Sequence, residues 1–218
     1  MRRTSQGFGL VEIMVALVLG LVVSLGVIQI FTSSRATFLS QNAAARMQED
    51  ARFVLSKMIQ ELRMTDMYGC QDFARPAELN EAILWNNTTN TLTLITADIG
   101  TAGTAPTWTI LSDCQTGAQL YSGARAPAAG QTAFPLRQLV YSYSNRTLSL
   151  NGQPLLQNVE TFDVFFGVTG NPMSYTNVIT AANASKIRSV RLNLVLRDPE
   201  GRAEDQPYSV VAYLRNRF

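Results

Sequence analysis

The chain has 218 residues, 46% of them hydrophobic, with no histidine, two cysteines and a formal net charge of +2. Without histidine a serine triad of the usual kind is excluded, and two cysteines alone leave a zinc site short of ligands. Of the 18 basic residues, Arg2 and Arg3 precede Phe8; beyond them basic and acidic side chains balance at 16 each, which gives no electrostatic footprint for nucleic acid.

The first element in chain order is an apolar helix. Residues 1–7 are short, polar and basic, and residues 8–31 are apolar with Glu12 as the one ionisable side chain. As a helix that run crosses a bilayer core of ~30 Å. It is longer than the apolar core of a secretory signal, and no Ala-x-Ala cleavage site follows before Thr32. Arg2 and Arg3 are expected to stay in the cytoplasm, which places everything beyond Phe31 outside it.

Glu12 conflicts with its surroundings. An ionised carboxylate in hydrocarbon costs about 3 kcal/mol on insertion scales, so it either protonates or finds a cation. No lysine or arginine occurs between Phe8 and Phe31 to serve as that cation. Glu12 is therefore expected to be an assembly and registration group for helices leaving the membrane together. Ala16, Gly20 and Ser24 repeat a small residue every four positions, a spacing that permits close helix approach.

Residues 32–68 contain neither proline nor glycine. Met47, Ala51, Val54, Met58, Leu62 and Thr65 follow three- and four-residue steps, widened by Leu55 and Ile59. Lys57 with Glu61, and Arg46 with Asp50, sit one turn apart on the wet face. The pattern predicts one continuous helix from residue 8 to about residue 67, on the order of 90 Å long. Its first half is apolar nearly all round and its second half carries only a stripe.

After Gly69 the texture turns β-rich. Cys70 and Cys114 lie beyond the apolar run, in what is expected to be an oxidising compartment. A bridge between them could contribute ~3–4 kcal/mol; two free buried thiols are the alternative. Residues 83–85, 91–96 and 107–111 are candidate strands of an irregular region, with a turn at 86–90 and loops at 100–106 and 123–132. Residues 136–144 and 147–150 flank Asn145-Arg146 as a hairpin, with Leu139, Tyr141 and Tyr143 on one face. Strands follow at 159–166, 187–197 and 208–215, alternating apolar and polar. These last five are expected to form one antiparallel sheet against the stem helix, an α+β architecture. The basic excess at Lys186, Arg188, Arg191 and Arg197 reads as solvated strand surface.

Two sets of residues carry a family resemblance. Gly7-Phe8-x-Leu10-Val11-Glu12, followed by Ile13-Met14-Val15-Ala16-Leu17, resembles the type IV prepilin leader and helix start. The resemblance implies cleavage between Gly7 and Phe8 by a dedicated peptidase, N-methylation of Phe8, and Glu12 in the place of the family's fifth-position glutamate. Ala51-Arg52-Phe53, Glu61-Leu62-Arg63-Met64, Tyr68-Gly69-Cys70, 159–164, 187–192 and 212–217 are similar to the minor pilin subgroup called PilW. The layout is also similar to that of the J-type pseudopilins of type II secretion.

What the resemblance implies is a pilin-like fold. It divides the chain into a cleaved leader at 1–7, a transmembrane and assembly helix at 8–31, an amphipathic stem at 32–68 and an extracytoplasmic head at 69–218 with an irregular insert at about 73–133. The expected function is that of a minor pilin in a priming or tip complex, with a J-type-like pseudopilin of a type II secretion system as the alternative, and without enzymatic activity, cofactor, metal or small-molecule substrate. Its expected partners are other minor pilins, the major pilin, the prepilin peptidase and the inner-membrane assembly platform, with nucleic acid not among them. The expected location is the bacterial inner membrane, with a cytoplasmic N-terminus and a periplasmic head, and afterwards the pilus surface.

Overall fold

The computed structural model of the chain describes residues 9–70, 79, 81–98, 105–180 and 182–216. Among the described residues one α-helix, α1 (Leu10–Met64), precedes eleven strands in two antiparallel sheets. At 1.5 Å per residue its 55 residues span about 82 Å. Every side chain from Leu10 to Phe38 is exposed, whereas Ala43, Met47, Ala51, Val54, Leu55, Met58 and Leu62 are buried. The apolar stripe thus marks the length of helix that packs on the head. Complete burial of Met58 and Leu62 contributes about 1.5–3 kcal/mol for each side chain.

The helix stops at Met64, three residues short of the expected end. Thr65 turns extended, at φ −61° and ψ 142°, and pairs with Thr96 across an isolated bridge. Asp66 then takes φ 64°, which a continuing helix cannot accommodate. Pairing with a strand more than 30 residues downstream competes with one more helical turn, and the periodicity of the stripe is blind to that. Of the two ion pairs expected on the wet face, Lys57–Glu61 forms at 2.7 Å, while Arg46 and Asp50 do not pair.

The larger sheet has the order β1 (Ile83–Asn86), β2 (Thr91–Ala97), β5 (Thr132–Ser144), β3 (Trp108–Ser112), β4 (Ala118–Ser122), extended from β5 by β6 (Thr147–Leu150) and β7 (Gln153–Gln157). The smaller has the order β11 (Gln206–Tyr213), β10 (Ile187–Leu196), β8 (Val159–Val168), β9 (Ser174–Thr176). The single five-stranded sheet expected in the second half is therefore not what forms. The hairpin at Asn145-Arg146 belongs to the larger sheet, and the last three predicted strands belong to the smaller. The cause is the length of β5: its 13 residues pair with β3 at Thr132–Leu136, with β2 at Leu136–Ser142 and with β6 at Tyr141–Ser144. A strand already occupied on both edges has no side left for β8.

The segment at 73–133 is also more regular than expected, since it supplies β1 to β4. The expected strands at 83–85, 91–96 and 107–111 appear within a residue of their positions, and β4, β7 and β9 are additional. Most of the loop expected at 100–106 lies outside the described residues. Asn145 and Arg146 both take positive φ, as a two-residue type I′ turn requires. Asn151 and Gly152 do the same and close a second hairpin, β6 to β7. Pro154 sits in β7, which among the described residues pairs with β6 alone, an edge position where a missing N–H is tolerated.

The helix packs on β11 and β10 of the smaller sheet and on β2 and β7 of the larger, so its stripe closes one core shared by both. Tyr141, Phe166, Leu192, Leu194, Ala212 and Leu214 are fully enclosed there. A second, smaller core gathers Tyr68, Leu79, Ala82, Ile95, Ile110 and Leu136 beneath the end of the helix.

Candidate functional site: the projecting helix and its anchorage

The unburied part of α1 is the first element of the site. Its most apolar window has a mean hydropathy of 2.7 and none of it is buried by the rest of the chain. Of the predicted processing residues, Gly7 and Phe8 lie outside the described residues. Glu12 stands in the first turn, where the positive end of the helix dipole favours a carboxylate. Glu12, Ala16, Gly20 and Ser24 line one shallow groove with Ile13, Leu17 and Leu21. Ser24 donates to the Gly20 carbonyl at 2.8 Å, which satisfies its hydroxyl without a second helix. A Cβ at Gly20 would meet nothing within 4 Å, so this chain's own packing does not require the glycine.

The second element is the anchorage between helix and head. The Tyr141 phenol donates to Glu61 Oε2, while Lys57 Nζ donates to Glu61 Oε1 at 2.7 Å. Burial pushes the Tyr141 phenol above its ordinary range, and the neighbouring Glu61 carboxylate adds to the effect. Tyr141 is thus a neutral donor at all ordinary pH. At the helix end, the Asn216 side-chain amide donates to the Arg63 and Thr65 carbonyls at 3.4 and 2.9 Å. It satisfies acceptors that the last turn leaves open.

Cys70 and Cys114 are joined as a disulfide, with Cα atoms 5.3 Å apart. The bridge ties the segment after the helix to the β3–β4 connection. Gly69 is needed beside it: its φ is +87°, and a Cβ there would lie 2.6 Å from the Phe134 ring. On the other side of the bridge, Asp113 accepts from the backbone N–H groups of Gln115, Thr116 and Gly117. Hydrogen bonding, led by the Thr116 hydroxyl, holds its carboxyl well below the usual range.

The basic side chains of the C-terminal strands are occupied. Arg197 reaches Asp205 at 2.7 Å and Glu160 at 3.1 Å, and Arg191 lies over the Tyr175 ring at 3.8 Å. Among the described residues no three of Cys, Asp and Glu gather where they could hold a metal ion.

Two comparisons with known families bear on these features. Residues 2–28 match the prokaryotic N-terminal methylation motif, and residues 126–214 match the type IV pilus-assembly protein W family, PilW. Together the two matches support a type IV minor pilin of the PilW family. No curated protein matches the chain. The PilW match runs from the loop before β5 to Leu214, so it takes in β5, the larger sheet's β6–β7 extension and all of the smaller sheet. It takes in the resembling segments at 159–164 and 187–192 and begins well beyond those at 51–53, 61–64 and 68–70. The PilW family is structural rather than enzymatic, and the match supports a pilus-related role. The methylation motif and the apolar helix together point to membrane anchoring by the N-terminal segment.

The anchoring residues Tyr141 and Asn216 were not legible as partners of the helix. Tyr141 is 80 positions from Glu61, and Asn216 is 151 from Thr65. Glu61 itself carried a usable signal, being the one acid of the stem placed one turn from a lysine.

Proposed function

We propose that the protein is processed between Gly7 and Phe8, methylated at Phe8, and assembled with other minor pilins into a priming or tip complex of a type IV pilus. The observation that carries this reading is the division of α1 into a wholly exposed apolar half and a half covered by the head. Outside lipid, the exposed half is stable only among other helices of its kind. Glu12 sets the register: its charge is neutralised by an amino terminus created on processing, its own or a neighbour's, because the apolar segment contains no cation. The head then lies on the far side of the inner membrane from Arg2 and Arg3, and travels with the fibre to the cell surface. Peptidase, assembly platform and major pilin are the further partners on this reading.

The test is a pair of variants read in cells. Gly7→Val retains the leader, seen as retained mass in the intact protein; normal processing would reject that cleavage site. Glu12→Ala is processed normally but loses copurification with other minor pilins after crosslinking. Unchanged copurification would defeat the registration argument.

A further inference from the structure

We propose that the face of α1 turned away from the head, between Phe38 and Arg63, docks the acidic stem helix of another pilin-type subunit. The inference rests on the reading above, that this chain assembles with other pilin helices, and adds to it a surface and the charge of the partner. The buried stripe from Ala43 to Leu62 accounts for one side of the covered half of the helix. On the other side Phe38 and Phe53 are 65% and 62% exposed, and between residues 39 and 64 Phe53 is the one exposed large apolar side chain. Fifteen positions separate the two rings, about 22 Å along the axis and about 60° around it. Gly20, in the groove that begins at Glu12, lies 18 positions before Phe38, or about five full turns. The groove and the two phenylalanines therefore face the same way.

The charge on this face has one sign in excess. Arg46, Arg52 and Arg63 share it with Glu49, and all four are exposed. Among the described residues none of the three arginines pairs with an acid. Asp50 belongs to a different side: burial, and after it the Asp50 charge, push the Tyr208 phenol up, which places Asp50 toward β11. What remains is a net positive strip, about a third of the helix circumference wide, with an exposed ring near each end.

That pattern selects among occupants. The apolar run ends at Phe31, so Arg46 and Arg52 stand about 22 and 32 Å beyond it along the helix. An anionic membrane surface acts over only ~8 Å at physiological salt, so it does not reach them. The same face of a second copy would set arginine against arginine, which like-charge repulsion opposes. A nucleic-acid strand would bring phosphates onto Glu49, in the middle of the strip. A second long helix with acidic side chains beside an apolar seam answers the length, the rings and the sign together. Flanking ion pairs of this kind set partner choice between helices lying side by side.

The experiment uses the full chain in cells, with the photo-crosslinker p-benzoylphenylalanine placed at position 53 and, in a separate strain, at position 31. Adducts are digested and the joined peptides are mapped by mass spectrometry. The expected adduct at 53 joins the stem helix of another pilin-type subunit, through a peptide of net negative charge. Its yield should fall tenfold or more in the Arg46→Glu, Arg52→Glu double variant, and return when the acids of the mapped peptide are changed to lysine. Both arginines are exposed, so the double variant keeps the melting temperature of the head. No adduct at 53 would overturn the proposal, as would an adduct with lipid, nucleic acid, a globular head or a second copy of this chain. A yield unmoved by the charge reversal would overturn it too. Position 31 separates the two readings: adducts there with other pilin helices and none at 53 refute this inference alone, while absence of both refutes the assembly reading as well.

Discussion

Replacing Cys70 with serine opens the bridge that separates the helix end from the β3–β4 connection by 44 positions in sequence. In the chain-entropy account, a closed loop of that size restricts the unfolded state by roughly 13 cal/mol/K, or about 4 kcal/mol at 25 °C. For a chain of this size, 1 kcal/mol moves the melting midpoint by about 2–4 °C, so the variant should melt roughly 8–16 °C lower. The loss should be shared by the Cys114→Ser variant and by the wild type in reductant, and the double variant should lose no more than either single one. The assay is thermal unfolding of the full chain in micelles, followed by near-ultraviolet circular dichroism, which reports the head and not the exposed helix. Hydrogen exchange adds a local reading: the Thr65–Thr96 bridge and the backbone around Gly69 should open more readily in the variant. Identical midpoints with and without reductant would refute the reasoning, because they would mean that the native contacts at Gly69 and Asp113 hold the two segments together unaided.

Tyr141→Phe removes the phenol that donates to Glu61 while keeping the ring volume. It should destabilise the head by about 1.5–3 kcal/mol, the range for hydrogen bonds to charged groups, as read by denaturant unfolding. A loss no larger in wild type than in a Glu61→Gln background would show that the two residues are not coupled. The Asp198 carboxyl is held down to about 2, chiefly by the Arg202 side chain that donates to it at 3.0 and 2.9 Å. The folded form therefore binds its proton less readily than the unfolded form, whose value is about 3.9. Its contribution to stability is complete above that value and is lost as pH falls toward about 2. A carboxyl NMR titration of Asp198 with a midpoint at or above 3.9 would contradict the ion pair.

Much of the local structure was legible because it rests on short-range rules. The stripe Met47, Ala51, Val54, Met58, Leu62 is a period of 3.6 and became the buried face of α1. Val190, Leu192, Leu194 and Leu196 alternate with polar residues and became the inward face of β10. Asn145-Arg146 proved to be the turn that its neighbours required. The second hairpin was available from the same rule, since Asn151-Gly152 is the strongest of the short type I′ signals. Pro154 speaks against a strand there, because it cannot donate to a ladder.

In the site, the apolar run and the lone Glu12 stood out because charge in an apolar segment is visible without tertiary information. The anchorage did not, because its pairs join residues far apart in the chain. By itself the amino-acid sequence determined a long helix, its apolar and amphipathic halves, and the strands that alternate. Only the tertiary structure decided that β5 would be shared among three partners, that β8, β10 and β11 would form a separate sheet, and that the helix would yield at Thr65 to a pairing with Thr96. Periodicity states which face of a segment seeks burial; it does not state which of several apolar faces will cover it, and that choice is made by the packing of the whole chain.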